Sequence, residues 1–476
     1  MTQHNPTGEP KASEKARRRT TPRRPPRQST GQGHRAPKRA AREQKRRSRR
    51  RQRRAFERLQ QGVLGLVTRG EAEALARETG YYQREPQQLR AFEFALCCAL
   101  AAVVECKRGF ASVWRLLAAV ADVVVARSAV TQRFGAGSAR LLEALFVRAV
   151  ERLPQAGPST LRTRLNEFRA VLAQDGTVLQ LSPVLAALFP ATRTNVVDAA
   201  AKAHVTADLV GRRVIDVTLT GERESELAAL YERGFAARTL YLVDLGYTSY
   251  DLLRDIVTAD AFVLMRLKEN ANPTVVRVRR GVHAPRQAEG QKLNDLRFCT
   301  TQEVFDLDAA FPCTKAGATV VMRVVGQWNE EQQRYHCYVT NLPAETWGVE
   351  ELVTLYRQRW IIELLMKLLK SHCHLDHLDT GNPEALRTLI YASLLAAVVL
   401  QALLVTSARS AGIPPEQLSF LTVGAVAPLL VATLLWLWLG RPLRHEALAA
   451  MIFRAIAEGC RDQNPERTRQ SHAALR

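Results

Sequence analysis

Residues 356–370 read YRQRWIIELLMKLLK, and the spacing within this stretch governs how the rest of the chain is read. Tyr356, Arg359, Glu363 and Lys370 follow one another at offsets of three, seven and fourteen from the tyrosine. At about 100° per residue the four fall within roughly 60° of one another on a helix. They form one polar stripe, while Leu355, Trp360, Ile361, Ile362, Leu364, Leu365, Leu368 and Leu369 supply the packing faces. The segment 349–371 is therefore expected to be one long amphipathic helix. Taken alone, a stripe of Tyr, Arg, Glu and Lys could simply be a solvated face, so what accompanies it matters.

Upstream, short β-like runs appear at 169–181, 212–220, 237–247 and 261–268, with the helical pattern ESELAALYERG between the second and third. Strands separated by a helix indicate an α/β domain. Two of these runs carry an aspartate in an apolar setting. Asp175 follows RAVLAQ and precedes Gly176, and Asp244 ends TLYLV. Charged residues are rarely buried unless they are paired or bind a metal. An aspartate at the end of an apolar strand beside glycine presents a carboxylate from a rigid element, although an Asp-Gly turn is the plainer reading of each one singly. From 272 to 342 the strand signals become dense and no useful helix interrupts them. After Pro343 the pattern is helical, and the tail 382–460 is apolar throughout.

The stripe Y-x2-R-x3-E-x6-K resembles the YREK signature of the DDE transposases of bacterial insertion sequences, in the IS-four-type group. QDGT (174–177) is similar to that family's first-aspartate segment, LVDLGY (242–247) to its second, and YVTNL (338–342) to the strand before its YREK helix. The order fits, with 69 residues from Asp175 to Asp244 and 119 from there to Glu363. The resemblance covers about residues 165–375. It implies a ribonuclease-H-like α/β catalytic domain interrupted by a β-rich insertion and flanked by helical regions. Asp175, Asp244 and Glu363 are then the implied catalytic residues and ligands of Mg²⁺, for which Mn²⁺ can substitute. Such chemistry uses two ions to place the nucleophile and to stabilise the attacking and leaving oxygens. Tyr356, Arg359 and Lys370 are the implied contacts to the transposon end. Lys202 and His204 are further candidates for DNA contact. Tyr335 and His336 fall where family members that flip a base carry a stacking aromatic, at a position where tryptophan is the family's residue.

The charge distribution points to the same class of partner. The formal charge of the 476-residue chain is +22, and residues 1–54 contribute most of it, with 20 Lys and Arg against 3 acids. A basic arm on a nearly balanced body suits a polyanion. The hydrophobic fraction of 46% and charged fraction of 24% exclude collagen-like, wholly disordered and disulfide-miniprotein classes. Eight cysteines without a C-x-x-C pair read as free thiols in a reducing compartment. His372, Cys373, His374 and His377 cluster after the stripe, but no second ligand pair at zinc spacing accompanies them. Residues 419–439 are uncharged over about the length of a membrane span, which buried helices of a large protein also reach.

The expected organisation is a basic arm without fixed structure (1–54), a helical DNA-binding region (55–160), a catalytic domain (165–271, resumed at 346–380), a β-rich insertion (272–345) and an apolar helical region (381–476). The expected function is a transposase that binds the inverted-repeat ends of its own element, cleaves there and transfers the 3′ ends to target DNA. The alternatives are a transposase-derived DNA-binding protein without catalysis, and a nuclease of the same fold without strand transfer. Double-stranded DNA and a second copy of the chain are the expected partners, in the cytoplasm at the nucleoid, with no membrane and no small-molecule cofactor.

Overall fold

The computed structural model describes residues 35–85, 88–104, 109–154, 164–192, 197–247, 249–298, 303–314, 317–378, 380–441 and 444–462. By its contacts the chain divides into two units, Met1–Arg50 and Arg51–Arg476.

In the first unit, the helix α1 (Arg35–Gly62) begins inside the stretch expected to lack structure. The correction has a local reason. From Arg35 onward the chain is Ala, Arg, Lys, Gln and Glu almost throughout, all good helix formers, and Arg47 pairs with Glu43 one turn back at 2.8 Å. Residues 1–34 of the expected arm lie outside the described residues, as do Cys106 and Cys299.

The second unit is a mixed α/β fold built on one nine-stranded sheet of order β3-β2-β1-β4-β5-β9-β8-β7-β6. Before the sheet come the last turns of α1, then α2 (Arg69–Glu78), α3 (Ala91–Val104), α4 (Phe110–Leu116), α5 (Arg127–Thr131) and α6 (Ala136–Arg152). The strands β1 (Ala170–Leu181), β2 (Ala199–Asp208) and β3 (Arg213–Gly221) form an antiparallel meander. Helix α7 (Glu226–Arg233) then carries the chain to β4 (Thr239–Val243), parallel to β1. Helix α8 (Tyr250–Thr258) leads to β5 (Phe262–Arg266), parallel to β4. Parallel neighbours need such crossovers.

The dense β region is β6 (Thr274–Arg280), β7 (Val304–Pro312), β8 (Thr319–Asn329) and β9 (Arg334–Thr340), with a one-turn helix α9 (Pro285–Ala288) between β6 and β7. These strands extend the same sheet, because β9 pairs antiparallel with β5. Asn341 fixes this seam, accepting from Val263 N at 2.9 Å and donating to Ala261 O at 2.8 Å.

Strand alternation divides the core. Leu240, Leu242 and Leu264 face one hydrophobic cluster, shared with the helices before and after the sheet. Tyr241, Val243, Val263 and Met265 face the other, shared with α8 and the strands β7 and β8. β4 is buried on both faces, as a central parallel strand must be.

The segment 349–371 is two helices rather than one. α10 (Val349–Arg357) packs on β5, β7 and β8, and α11 (Trp360–Ser371) packs on β1 and β2. Between them Gln358 and Arg359 donate three residues back, to Leu355 and Tyr356 carbonyls at 3.0 and 2.9 Å, which is a tightened 3₁₀ step. The tightening falls where the chain passes from one set of strands to the other. A buried Arg323–Asp306 pair, with Arg323 also donating to Trp347 O at 2.8 Å, anchors the approach to α10.

The chain ends in α12 (Pro383–Ala411), α13 (Phe420–Trp438) and α14 (His445–Gly459). α12 starts at Asn382, whose side chain accepts from Glu384 N and Ala385 N with Pro383 at the first helical position. Two helices, α12 and α13, are long and apolar enough to cross a membrane by length and composition. The most apolar window of α12 is 94% buried inside the protein, against α3, α6 and α14, and that of α13 is 50% buried. Among the described residues, Cys97, Cys98, Cys313, Cys337, Cys373 and Cys460 form no disulfide.

Candidate active site

β1 runs beside β4 only as far as the Ala173–Leu242 pair. Asp175 stands two residues further along β1, and Asp244 follows the last residue of β4. The two carboxylates therefore come from neighbouring strands at one end of the sheet. Glu363 comes from the first turn of α11, the helix laid over β1 and β2.

Arg359 joins them. Its Nε lies 3.8 Å from Asp244 Oδ1, and its Nη2 donates to Glu363 Oε1. Burial pulls its pKa down, but Asp244, Tyr356, Glu363 and Asp175 outweigh that and raise it, so the guanidinium stays charged. Asp175 accepts from Gly176 N at 2.9 Å. Burial and the neighbouring charge of Asp244 push its carboxyl above the usual range, while the Gly176 N–H, Arg359 and Lys370 oppose the rise.

Tyr356 donates its hydroxyl to Val243 O at 3.3 Å, the carbonyl just before Asp244. Its ring packs on Tyr338 with centroids 5.1 Å apart. Burial, opposed in part by Arg359, pushes its phenol up to about 12, so it remains a protonated donor. The structure thus brings Asp175, Asp244, Glu363, Tyr356, Arg359 and Lys370 to one place.

The remaining candidates stand outside this group of six. Lys202 on β2 donates to Glu224 O at 3.3 Å and lies 3.8 Å from Glu226 Oε1. His204, two residues on, is 1% exposed with Nε2 2.8 Å from Thr220 Oγ1, so DNA does not reach it. The expectation of a DNA contact there is corrected by burial in the interior of the sheet. Tyr335 packs among Phe298, Phe305 and Trp328, with centroids 5.0 to 5.2 Å away. His336 bonds Gln332 Oε1 at 2.8 Å, and burial with Arg266, Arg334 and Arg357 lowers its pKa. Both line a cavity of about 540 Å³ with Arg266, Lys268, Arg334 and Leu245, the residue after Asp244. His372 lies against Gly424 of α13, where a Cβ would come within 2.6 Å of its ring, and Cys373 is buried.

Glu226, at the start of α7, also reaches this end of the sheet, and the sequence reading passed over it. An acid after Ser225 reads as an ordinary helix start, which it also is.

The donor chemistry fits a divalent ion. All three acids offer oxygen only, the ligand type Mg²⁺ selects. The Arg359 guanidinium already places a cation between Asp244 and Glu363. As the side chains lie, no three His, Cys, Asp or Glu groups among the described residues converge closely enough to hold an ion.

Residues 168–399 match the transposase DDE domain family. Over this segment, just under half of its length, the chain is similar to the DDE transposases of bacterial insertion sequences. It is 38% identical over 94 residues to the transposase for insertion sequence element IS421 of Escherichia coli, a stretch covering 19% of this chain and 25% of that one. It is 21% identical over 359 residues to the transposase for insertion sequence element IS231F of Bacillus thuringiensis subsp. israelensis, covering 68% of this chain and 75% of the relative. The stronger identity is thus confined to about a quarter of the Escherichia coli relative's length, while the weaker one spans most of the Bacillus relative.

Proposed function

We propose that the chain is a transposase active on the insertion sequence that encodes it, binding the terminal inverted repeats, cleaving DNA there and transferring the 3′ ends to a target. The observation that supports this most is the meeting of Asp244 and Glu363 at Arg359, with Asp175 on the neighbouring strand. The ribonuclease-H-like reading of the sheet has the same support: two aspartates from adjacent strands and a glutamate from the later helix.

Two Mg²⁺ ions held by Asp175, Asp244 and Glu363 would supply an activated hydroxyl and charge stabilisation on the attacking and leaving oxygens. The protein's own groups do the positioning. Arg359 offers a planar fork for a backbone phosphate. Its ion pair with Asp244 and its bond to Glu363 then exchange for that phosphate as DNA arrives. Tyr356 holds the backbone carbonyl at Val243 and so fixes the strand end that carries Asp244. Lys370, about two helical turns beyond Glu363, contacts the DNA backbone further along.

Arg-rich α1 adds phosphate contacts without sequence preference, with the steep salt dependence such contacts bring. The cavity lined by Tyr335 and His336 has the cations and the aromatic edge that an extruded nucleotide requires. A dimer acting on paired ends is part of the same proposal.

Strand transfer separates the readings. Purified protein, Mg²⁺ and pre-cleaved element ends should yield joined products in a supercoiled target plasmid. Cleavage of uncut ends without any joining would favour a nuclease, and binding without either would favour a DNA-binding derivative.

A further inference from the structure

A fourth carboxylate meets both aspartate loops. Glu226 opens α7 behind Ser225, whose Oγ accepts from Leu227 N at 3.2 Å. A Cβ at Gly176 would lie 2.8 Å from Glu226 Oε1, and a Cβ at Gly246 would lie 3.4 Å from Oε2. One carboxylate therefore lies over the residue after Asp175 and over the second residue after Asp244. Glycine at both positions leaves it room. A favourable charge at a helix start explains an acid in the first turn. It does not explain why the carboxylate spans these two loops.

The surroundings point the same way. Asp175 and Gly176 project to opposite faces of β1, so Glu363 and Glu226 approach from opposite sides. β4 has stopped pairing with β1 by this level, which leaves the strand edge open between them. Tyr247, a residue 2% exposed, sets its hydroxyl beside Gln174, the residue before Asp175. The charged groups that act on it are Glu226, Asp175 and Asp244, in that order. Glu226 itself meets Lys202 Nζ at 3.8 Å, beyond hydrogen-bond length. Each side of the site thus has an acid facing a side-chain cation: Glu363 with Arg359, and Glu226 with Lys202.

We propose that Glu226 is a fourth carboxylate of the metal site, giving an oxygen to a divalent ion held between the Asp175 and Asp244 loops, with Lys202 as its counter-ion in the metal-free protein. This rests on the reading of the site as a metal-dependent DDE centre.

The test is a titration of the full chain with Mn²⁺ alone, without DNA, following free ion by electron paramagnetic resonance. Wild type, Glu226→Gln, Glu363→Gln and Lys202→Met are compared. Glu226→Gln should weaken at least one Mn²⁺ by about tenfold or more, the scale found when groups supporting a metal site are lost. Lys202→Met should tighten binding, since the competing cation is gone. Wild-type binding in Glu226→Gln, with Glu363→Gln weakened, overturns this proposal and leaves the triad standing. No bound Mn²⁺ in wild type overturns both. If Glu226→Gln melts lower than wild type without metal, Lys202→Met decides, because it keeps Glu226: tighter Mn²⁺ supports the proposal and unchanged Mn²⁺ overturns it.

Discussion

Arg359 Nε lies 3.8 Å from Asp244 Oδ1 while the same guanidinium bonds Glu363. One side chain therefore ties the end of a central strand to the helix that lies across the sheet. Two acids facing one site repel each other, and a fixed cation between them removes much of that cost.

Removing that cation should separate binding of metal from binding of DNA. Arg359→Gln leaves Asp244 and Glu363 unneutralised, so Mn²⁺ should bind more tightly. End cleavage should nonetheless fall by about 10²-fold or more, the scale of losing one preorganised group aimed at reacting charge. Calorimetric Mn²⁺ titration and cleavage of labelled ends check the two halves. Weaker metal binding in the variant would argue against the guanidinium as the ion's competitor.

Tyr356→Phe removes one half-buried hydrogen bond, to Val243 O, and keeps the ring against Tyr338. A loss of about 1 kcal/mol is expected, from the net worth of such a bond. Thermal unfolding should show a fall of about one degree in a protein of this size. Cleavage should drop more than stability at the assay temperature accounts for, because the bond fixes the residue before Asp244. Equal cleavage by variant and wild type would confine the hydroxyl to a structural role.

His204 makes stability depend on pH. Burial and Lys202 lower its pKa to about 4, against an ordinary value near 6.5. Between those values the unfolded chain binds a proton that the folded chain refuses. Stability is therefore complete above pH 6.5 and declines as pH falls toward 4, by an amount of order 3 kcal/mol for shifts of this size. Urea unfolding at pH 7 and pH 4.5 should show this decline in wild type and a smaller one in His204→Gln. The same decline in both would assign it to other groups.

Gly326 tests how the added strands β7 and β8 pack on each other. A Cβ there would lie 2.0 Å from Phe305 Cε1, deep in the second core. Gly326→Ala should destabilise the protein by about 1–3 kcal/mol through overpacking. A fall in the urea midpoint without a change in slope is the expected readout. An unchanged midpoint would show that the Phe305 ring has room to move.

Much of this was legible in the chain, for particular reasons. The stripe from Tyr356 to Lys370 was readable because helical periodicity is local, and Asp175 and Asp244 stood out because apolar strands seldom carry charge. The break at Gln358–Arg359 was not readable, since it follows from which strands each half packs on. His204 was read as a candidate contact because the sequence does not show that β2 is flanked by β1 and β3 and covered by α11. Glu226 was missed because its distinguishing neighbours, Gly176 and Gly246, lie 50 residues before it and 20 after it. The dense β region reads as a β-rich insertion inside the α/β domain, and its pairing with the same sheet, through β5 and β9, is not legible because the two strands lie some 70 residues apart in sequence.

The central claim is that Asp175, Asp244 and Glu363 cut DNA at the ends of the chain's own element. The most direct measurement incubates a plasmid carrying the gene and its flanking DNA with purified protein and Mg²⁺, beside Glu363→Gln, and maps DNA ends at nucleotide resolution. Paired breaks at two inverted flanks with wild type, absent with the variant although a gel shift shows it bound, are the predicted result. Flanks bound by both proteins and cut by neither, or cut equally by both, would contradict it.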